Sequence, residues 1–584
     1  MNDQIEGKAT TRRLFTCFDE QNADVSEDQI LIGIDFGTTF SGIAFACLSD
    51  EDPKVIVVKS WPGMAMNQVK VPTIISYGSY NEKFSWRSQA SDDYSIHGIK
   101  LLLDPNQDMP SYIPESTLKS NLKHCGKPAV DVAADFLQAM YKYALERLEL
   151  EFPLEYVKIC EKKLILSVPA VWSDKAKDLT LQAARQAGLH PVALVKEPEA
   201  AAFHTLNRLK NKGVAVGNAI VICDAGGGTV DLISYEVVQL VPKLELKELV
   251  PGTGCMAGSL NLNNRWEEMV KDIVGEDDFY RIKGDKCYLG PLDYFEQVAK
   301  RQFRGVERKW VFHFFKANLR DNRPKGLFSD TLVLNCKDMK AIFDPIIADI
   351  KDKVNEQVQA VMAKRLSDPH EGKPKAILLV GGFGSSEYLR SELAQQFPTI
   401  QVMQPNESWS AIVQGAVLSQ LPQKVTVVSR QATRHYGVSA GFIYDAAKDE
   451  GHPKYMDAYG KWRTRRMTWY IRRGDTLGHS HKIRFPFYRT LQDLSDESLQ
   501  FLVSLKQCEL IEAPDHPDST VEANCQLVVD LRNVERDTFQ KKRGMYGDWC
   551  WDVHYDLVVI SMPAIMKFSL EHRGKEMGSV KAKY

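Results

Sequence analysis

Two short stretches of the chain place an aspartate just before a turn of glycines and threonines. They are Leu31–Gly42 (LIGIDFGTTFSG) and Ile222–Asp231 (ICDAGGGTVD). Glycine lets the backbone come close to a ligand, and turn amides with hydroxyls can surround an anion. A carboxylate beside that anion is repelled unless a cation lies between them, so the pattern indicates Mg²⁺ bound to phosphate. The residues concerned are Asp35, Gly37, Thr38 and Thr39 in the first turn and Asp224, Gly226, Gly227, Gly228 and Thr229 in the second.

The elements that must hold these turns can be predicted from the flanking residues. Apolar, β-branched and aromatic runs on both sides of each turn predict two β-hairpins. Two such hairpins imply a duplicated fold with one nucleotide between its halves. A third glycine turn, in Ala376–Ser386 (AILLVGGFGSS), follows a predicted strand and opens a helix. Strands and helices alternate between the turns, which predicts an α/β fold with helices covering sheets.

The last part of the chain has a different pattern. From about Val425 helical periodicity gives way to alternation of apolar and polar residues, as in Trp551–Val559. Such alternation predicts an antiparallel β domain with one buried face. We therefore predict a disordered tail at residues 1–28, a nucleotide-binding domain at 29–422 and a β-rich domain at 423–584.

Composition excludes several classes of protein. The net charge of the 584 residues is −2, so there is no overall attraction to nucleic acid or to an anionic membrane. The 11 cysteines form no Cys-x-x-Cys pair, which argues against zinc and for a reducing compartment. No secretory signal and no apolar run of membrane-spanning length is visible. We expect a cytoplasmic protein without nucleic-acid or membrane partners.

One segment, Lys461–Arg473 (KWRTRRMTWYIRR), mixes basic and aromatic residues. It could bind single-stranded nucleic acid by stacking and charge, or form a strand whose arginines face water. The period-two alternation favours the strand. The sequence contains neither a Walker-type phosphate loop nor a Gly-x-Ser-x-Gly elbow. It therefore does not match a P-loop NTPase or an α/β-hydrolase.

The order of five motifs resembles a known family. IGIDFGTTFSG, SVPAVWSD, VKEPEAAA, CDAGGGTVD and VGGFGSS follow one another as in the ATPase domain of the seventy-kilodalton heat-shock proteins, of the actin and sugar-kinase superfamily. The resemblance covers roughly residues 30 to 422 and indicates a divergent, fungal-type branch. It implies a two-lobed, actin-like ATPase fold with duplicated phosphate hairpins and ATP or ADP with Mg²⁺ in the cleft. A smaller β-rich C-terminal domain follows, substrate-binding-like but without the family's helical lid.

The resemblance also implies roles for single residues. Asp35 and Asp224 would hold the magnesium, and Glu197 would bind a metal water or orient the attacking one. Asp231 would help to position that water. Lys100 best matches the family's lysine near the γ-phosphate, with Arg87 a poorer alternative. The phosphates would lie against Gly37, Thr38, Thr39, Gly226, Gly227, Gly228 and Thr229, and the adenosine against Gly381, Gly382 and Gly384.

Two adenosine contacts of the family are not at their expected places. The stacking arginine would fall at about Ser385, and the helical Glu-x-x-Lys-Arg has no match near Glu307–Trp310. The leading hypothesis is a chaperone-like or regulatory ATPase that hydrolyses ATP slowly and couples its nucleotide state to protein clients or co-chaperones through the C-terminal β domain. The alternatives are a nucleotide-sensing scaffold with little turnover and, less favoured, a small-molecule kinase with Asp231 or Asp174 as its base.

Overall fold

The structure is a computed structural model that describes residues 29–49, 52–64, 67–77, 84–86, 95–104, 115–209, 213–366, 372–405, 407–421, 425–478, 482–562, 564–579 and 582–583. The predicted tail at residues 1–28 lies outside these residues. So does Arg87, the alternative to Lys100 as the basic residue near the γ-phosphate. No helix among the described residues is both long and apolar enough to cross a membrane.

The first lobe is built from the chain up to residue 209. Its strands are β1 Gln29–Asp35, β2 Phe40–Cys47, β3 Ile56–Val57, β4 Val71–Pro72, β5 Ile74–Tyr77, β6 Phe84–Trp86, β7 Ile96–His97, β8 Glu161–Val168 and β9 Val192–Lys196. Its helices are α1 Glu115–Cys125, α2 Ala129–Glu151, α3 Leu154–Ile159, α4 Asp174–Gln186 and α5 Glu197–Leu209, with a 3₁₀ turn at Ile99–Leu103. The main sheet has the order β3-β2-β1-β8-β9, with β4 on β2, and a small sheet has the order β6-β5-β7.

The second lobe follows up to residue 421. Its strands are β10 Ala219–Ala225, β11 Val230–Gln239, β12 Leu244–Cys255, β13 Trp310–His313, β14 Leu327–Phe328, β15 Thr331–Leu334, β16 Ala376–Val380 and β17 Gln401–Met403. Its helices are α6 Leu260–Val274, α7 Glu276–Ile282, α8 Lys286–Tyr294, α9 Lys300–Gln302, α10 Cys336–Lys364, α11 Gly381–Gly384, α12 Glu387–Gln396 and α13 Ala411–Leu418. A π-helical turn at Phe295–Ala299 joins α8 to α9, and short 3₁₀ turns lie at Arg323–Lys325 and Ser408–Ser410.

The two predicted hairpins have the same construction. β1 pairs antiparallel with β2 and parallel with β8, while β10 pairs antiparallel with β11 and parallel with β16. Every residue of β1 and β10 is buried, as expected for strands covered on both faces. The α/β fold with duplicated phosphate hairpins is thus confirmed.

The C-terminal part is a β-sandwich. Its strands are β18 Val425–Gln431, β19 His435–Ile443, β20 Lys454–Met456, β21 Trp462–Ile471, β22 Thr476–Gly478, β23 Lys482–Leu491, β24 Gln500–Cys508, β25 Glu522–Asp530, β26 Gln540–Arg543, β27 Trp549–Ser561, β28 Met566–His572, β29 Lys575–Ser579 and β30 Ala582–Lys583. Short helical segments lie at α14 Ala446–Asp449 and at Arg536–Thr538. One sheet has the order β20-β21-β19-β24-β25-β30 and the other β23-β27-β28-β29, with β26 on β27. Leu505 and Leu527 of the first sheet share a core with Leu557 and Val559 of the second, which confirms the β-rich C-terminal region.

The sheet of the second lobe continues past the predicted boundary at residues 422/423. β18 adds parallel to β12, and β22 adds antiparallel to β18, so the order is β17-β16-β10-β11-β12-β18-β22. Val425 and Val427 are each 2% exposed and join the core of the nucleotide-binding part. The change in periodicity near Val425 therefore marks the end of the long helices, whereas the second-lobe sheet runs on to Gly478.

Candidate functional site

A cleft of about 780 Å³ lies between the lobes. A pocket of this size accommodates a small-molecule ligand or cofactor. Residues from both hairpins, from the third glycine turn and from the helices of the second lobe line it. The predicted site residues that the structure brings together in its wall are Asp35, Gly37, Thr38, Thr39, Lys100, Glu197, Asp224, Gly226, Gly227, Gly228, Thr229, Gly381 and Gly382.

The two glycine turns touch each other across the cleft. A Cβ atom at Gly227 would collide with the side chain of Thr39, and one at Gly228 would come within 3.0 Å of the side chain of Thr38. Only glycine at these positions lets the hairpins approach so closely. Amides and hydroxyls of both turns are therefore concentrated around one point of the cleft.

Asp35 ends β1 and carries two partners on its carboxylate. The Ser167 hydroxyl donates to Oδ1 at 2.8 Å, and the Lys70 ammonium lies 2.6 Å from Oδ2. The side chains of Asp35 and Lys70 are almost fully buried. Lys70 also lines the cleft, although sequence reasoning did not single it out. The sequence feature that could have identified Lys70 is its position immediately before β4, because β4 pairs with the first hairpin.

Asp224 lies at the equivalent point of the second hairpin but has no such partners. Its Oδ1 atom is buried without a hydrogen-bond partner among the described residues. Burial raises the pKa of Asp224 well above its usual value, and the nearby carboxylates of Glu197 and Asp231 raise it further. Lys70 opposes these effects without making an ion pair with Asp224. A buried acid without a direct partner is costly, so this position favours a cation.

Glu197 is the first residue of α5 and forms a buried ion pair with Lys100. The Lys100 ammonium also lies 5.4 Å from the ring centroid of Trp172. Burial raises the pKa of Glu197 to about 7, because it outweighs the opposing effect of Lys100 and is reinforced by nearby acids. The structure thus brings the predicted lysine to the predicted acid at the N-terminus of a helix.

Asp231 and Gly384 lie behind the cleft wall. Asp231 faces Asp224 across the hairpin register, is 1% exposed and accepts a hydrogen bond from the Ala170 amide at 3.1 Å. Burial raises the pKa of Asp231. Gly384 packs against the backbone of Leu379. Neither residue is among those that line the cleft.

The residues present fit a magnesium–phosphate group. Four buried acids, Asp35, Glu197, Asp224 and Asp231, converge here with two lysines, leaving an excess of negative charge. Among the described residues no three His, Cys, Asp or Glu side chains could hold a metal ion by themselves. The carboxylate oxygens of these acids are the kind of ligand that Mg²⁺ takes, usually one or two carboxylates together with phosphate oxygens and waters.

The helical segment α8–α9 adds polar and basic residues to the cleft wall that sequence reasoning missed. They are Gln297, Lys300 and Arg301. Burial lowers the pKa of Lys300 to about 8. The family's helical Glu-x-x-Lys-Arg motif was expected near Glu307–Trp310. Outside that segment, Gln297-Val298-Ala299-Lys300-Arg301 has the same spacing with glutamine in the first place, and its Gln297, Lys300 and Arg301 line the cleft.

Comparison with known proteins gives a consistent set of matches. A family model described as Hsp70 protein matches residues 115–239. Human heat shock 70 kDa protein 12A is 25% identical over 515 residues, which cover 72% of this chain and 74% of the relative. The mouse protein of that name is 25% identical over 511 residues (71% and 73%), and human heat shock 70 kDa protein 12B is 25% identical over 514 residues (71% and 72%). Each alignment covers more than two thirds of both chains.

Proposed function

We propose that this chain, which is a divergent Hsp70-like protein, binds Mg-ATP in the cleft between its lobes and hydrolyses it slowly. The observation that carries the proposal is the contact between the two glycine turns beside the unpartnered carboxylate oxygen of Asp224. The turns supply amides and hydroxyls for phosphate, and the acid supplies a ligand for the metal. Hsp70-like ancestry supports the same assignment.

The chain's own residues divide the work of hydrolysis. Asp35 and Asp224 would hold the metal, which would neutralise charge on the phosphates. Lys70 and Lys100 bring positive charge to the same region. Glu197, with a pKa of about 7, takes a proton from the water whose oxygen bonds to the γ-phosphorus, while the bond from that phosphorus to the β–γ bridging oxygen breaks and ADP leaves. Such catalysis consists mainly of positioning and charge stabilisation.

Thermal shift with an isosteric substitution tests the binding site. A ligand that binds the folded state raises the melting temperature by mass action. We expect Mg-ATP to stabilise the wild-type protein and Asp548→Asn, an exposed control, equally. In Asp224→Asn the Mg²⁺-dependent part of the shift should disappear. An unchanged shift in Asp224→Asn would remove this assignment of the cleft.

A second candidate is a nucleotide sensor with little turnover. The observation that favours it is the buried ion pair of Glu197 with Lys100, which occupies the acid needed for the attacking water. Release of phosphate from ATP decides between the two. Slow turnover clearly above that of Asp231→Asn supports hydrolysis, and equal rates in both proteins support the sensor. The less favoured small-molecule kinase requires faster ATP consumption in the presence of a sugar, which a panel of sugars tests.

We further propose that the C-terminal β domain contacts client proteins or co-chaperones. Supporting this, exposed apolar and aromatic side chains are concentrated on two neighbouring turns, β20–β21 and β26–β27, which the Met545 amide joins by donating to the Ala458 carbonyl at 2.8 Å. Large exposed apolar patches commonly mark interaction sites. The side chains concerned are Tyr455, Met456, Trp462, Met545, Tyr546 and Trp549.

The client surface can be tested with an unfolded protein of known sequence as the probe. We expect Tyr546→Ser with Trp549→Ser to weaken binding of the probe, while Phe315→Ser on the second lobe, also exposed, leaves it unchanged. Equal binding by all three proteins would contradict the proposal.

The ten cysteines in the described part of the chain are free thiols, which supports a reducing compartment such as the cytoplasm.

A further inference from the structure

The indole of Trp409 forms part of the cleft wall. Trp409 belongs to the 3₁₀ turn Ser408–Ser410, is half-buried and lines the cleft. It lies beside the third glycine turn, because a Cβ atom at Gly382 would be 3.7 Å from the indole nitrogen. A large flat ring therefore borders the glycine turn at which an adenosine was expected.

Two neighbours fix the orientation of this ring. Phe40, the residue after the phosphate-turn Thr39, meets Trp409 edge-on with the ring centroids 5.7 Å apart and the planes at 75°. Arg301 places its guanidinium carbon 5.1 Å from the centroid of the indole. The phosphate turn, the indole and the helical segment α8–α9 thus form one connected wall. The Arg301 side chain is exposed, and a base that stacks on this face of the indole must displace it.

Resting on the proposed nucleotide site, we infer that Trp409 is the platform on which the base of a purine nucleotide stacks, with Arg301 closing over its other face. Ser385 cannot do this, because its hydroxyl donates to the Gly382 carbonyl at 2.7 Å and it has no planar group. Stacking of a base on an aromatic side chain and of a guanidinium on that base are both favourable. The platform thereby takes the place of a stacking arginine after the third glycine turn.

Stacking also defines the class of ligand. The favourable binding free energy from stacking increases with the overlapping ring area, so a two-ring purine should bind more tightly than a one-ring pyrimidine. The phosphates are held by the two glycine turns, which line the same cleft. A phosphate chain without a base has no ring to stack on the indole, so its binding should not depend on the Trp409 ring, and this separates the base platform from the phosphate site.

Isothermal titration calorimetry with Mg-ATP, Mg-UTP and Mg-tripolyphosphate tests the inference. Wild-type protein should bind ATP more tightly than UTP. Trp409→Ala should weaken ATP binding about ten- to a hundredfold, the range expected for loss of one stacked base, and leave tripolyphosphate binding unchanged. Trp409→Phe should recover most of the loss, and Phe328→Ala, which removes an exposed aromatic ring of β14 outside the cleft, is the control.

The outcomes are distinct for each hypothesis. If Trp409→Ala binds ATP as tightly as the wild type does, the assignment of Trp409 as the stacking platform is wrong. If the wild type binds tripolyphosphate and ATP equally well, the base is not read at all, and only the phosphate site survives. If the wild type binds none of the three ligands, the proposed function itself fails. Should Trp409→Ala not fold, Trp409→Leu, which keeps an apolar group but no ring, must show the same selective loss for ATP.

Discussion

His204 is a titratable group on α5 that the fold holds neutral. Its side chain is 3% exposed, and its Nε2 atom, 3.9 Å from Glu407, has no hydrogen-bond partner among the residues described. Burial lowers the pKa of His204 to about 4, with Arg208 adding to the effect and Glu407 opposing it. The unfolded chain, with a pKa near 6.5, therefore takes up a proton on acidification before the folded chain does.

The stability contributed by neutral His204 is complete above about pH 6.5 and is lost as the pH falls toward 4. At pH 5 the loss is about 2 kcal/mol, from 1.36 kcal/mol for each unit of pKa difference. We expect His204→Gln to flatten the decrease in melting temperature between pH 6.5 and 5 relative to wild type. His313→Gln, an exposed control, should keep the wild-type slope. Parallel slopes in all three proteins would contradict this role.

Single residues show what sequence can and cannot predict about the site. Asp35 and Asp224 stand in motifs whose spacing indicates their chemistry, and the role of Glu197 was implied by the family resemblance; all three line the cleft. Lys70 and Trp409 stand in no motif. Both reach the cleft through contacts that join separate elements, such as the pairing of β4 with β2, and local patterns do not encode such contacts.

At the scale of elements, the crossing of α5 and α13 positions one end of the site. Glu197 starts α5, and a Cβ atom at Gly415 of α13 would collide with the Ala200 carbonyl in the next turn of α5. Gly415 therefore allows two helices to touch through their backbones. Any side chain there must push α5 away and carry Glu197 with it.

Substitution of alanine for Gly415 should destabilise the protein by several kcal/mol, since overpacking a rigid core typically costs 1–3 kcal/mol and backbone collisions cost more. We expect Gly415→Ala to lower the melting temperature by several degrees and to reduce Mg-ATP binding. Gly290→Ala in α8, where a Cβ atom meets nothing within 4 Å, should be neutral or gain up to about 1 kcal/mol. Similar losses in both variants would argue against a specific collision.

Periodicity predicted elements well where one face of an element is buried along its whole length. Both hairpins lie where their apolar runs indicated. Periodicity did not predict that β18 belongs to the second-lobe sheet, because two buried valines in a short strand do not reveal which sheet the strand joins. That choice depends on β12, a strand about 180 residues earlier in the chain.

At the scale of the whole molecule, a buried ion pair ties the C-terminal segment to the cleft. Arg430 of β18 donates to both carboxylate oxygens of Glu199, at 3.1 and 2.6 Å. Glu199 lies on α5, two residues after Glu197, and its side chain is 2% exposed. Movement of β18 therefore acts directly on the helix that carries the site's acid.

Removal of Arg430 leaves Glu199 buried without its partner, which typically costs 3–5 kcal/mol. We expect Arg430→Ala to lower the melting temperature and to increase hydrogen exchange in both β18 and α5. Arg532→Ala, which removes an exposed pair with Asp530, should change stability by less than about 1 kcal/mol. Exchange that rises in β18 alone would show that the pair does not transmit movement to α5.

The continuous sheet β17-β16-β10-β11-β12-β18-β22 has a consequence for synthesis of the chain. The nucleotide-binding part remains without its last two strands until residue 478 has been translated, several seconds after residue 421 at usual elongation rates. During that interval the edge of β12 is open to pairing with other chains. A chain truncated at residue 421 would keep this edge permanently, so we expect it to aggregate, whereas a chain that extends through Gly478 would be protected.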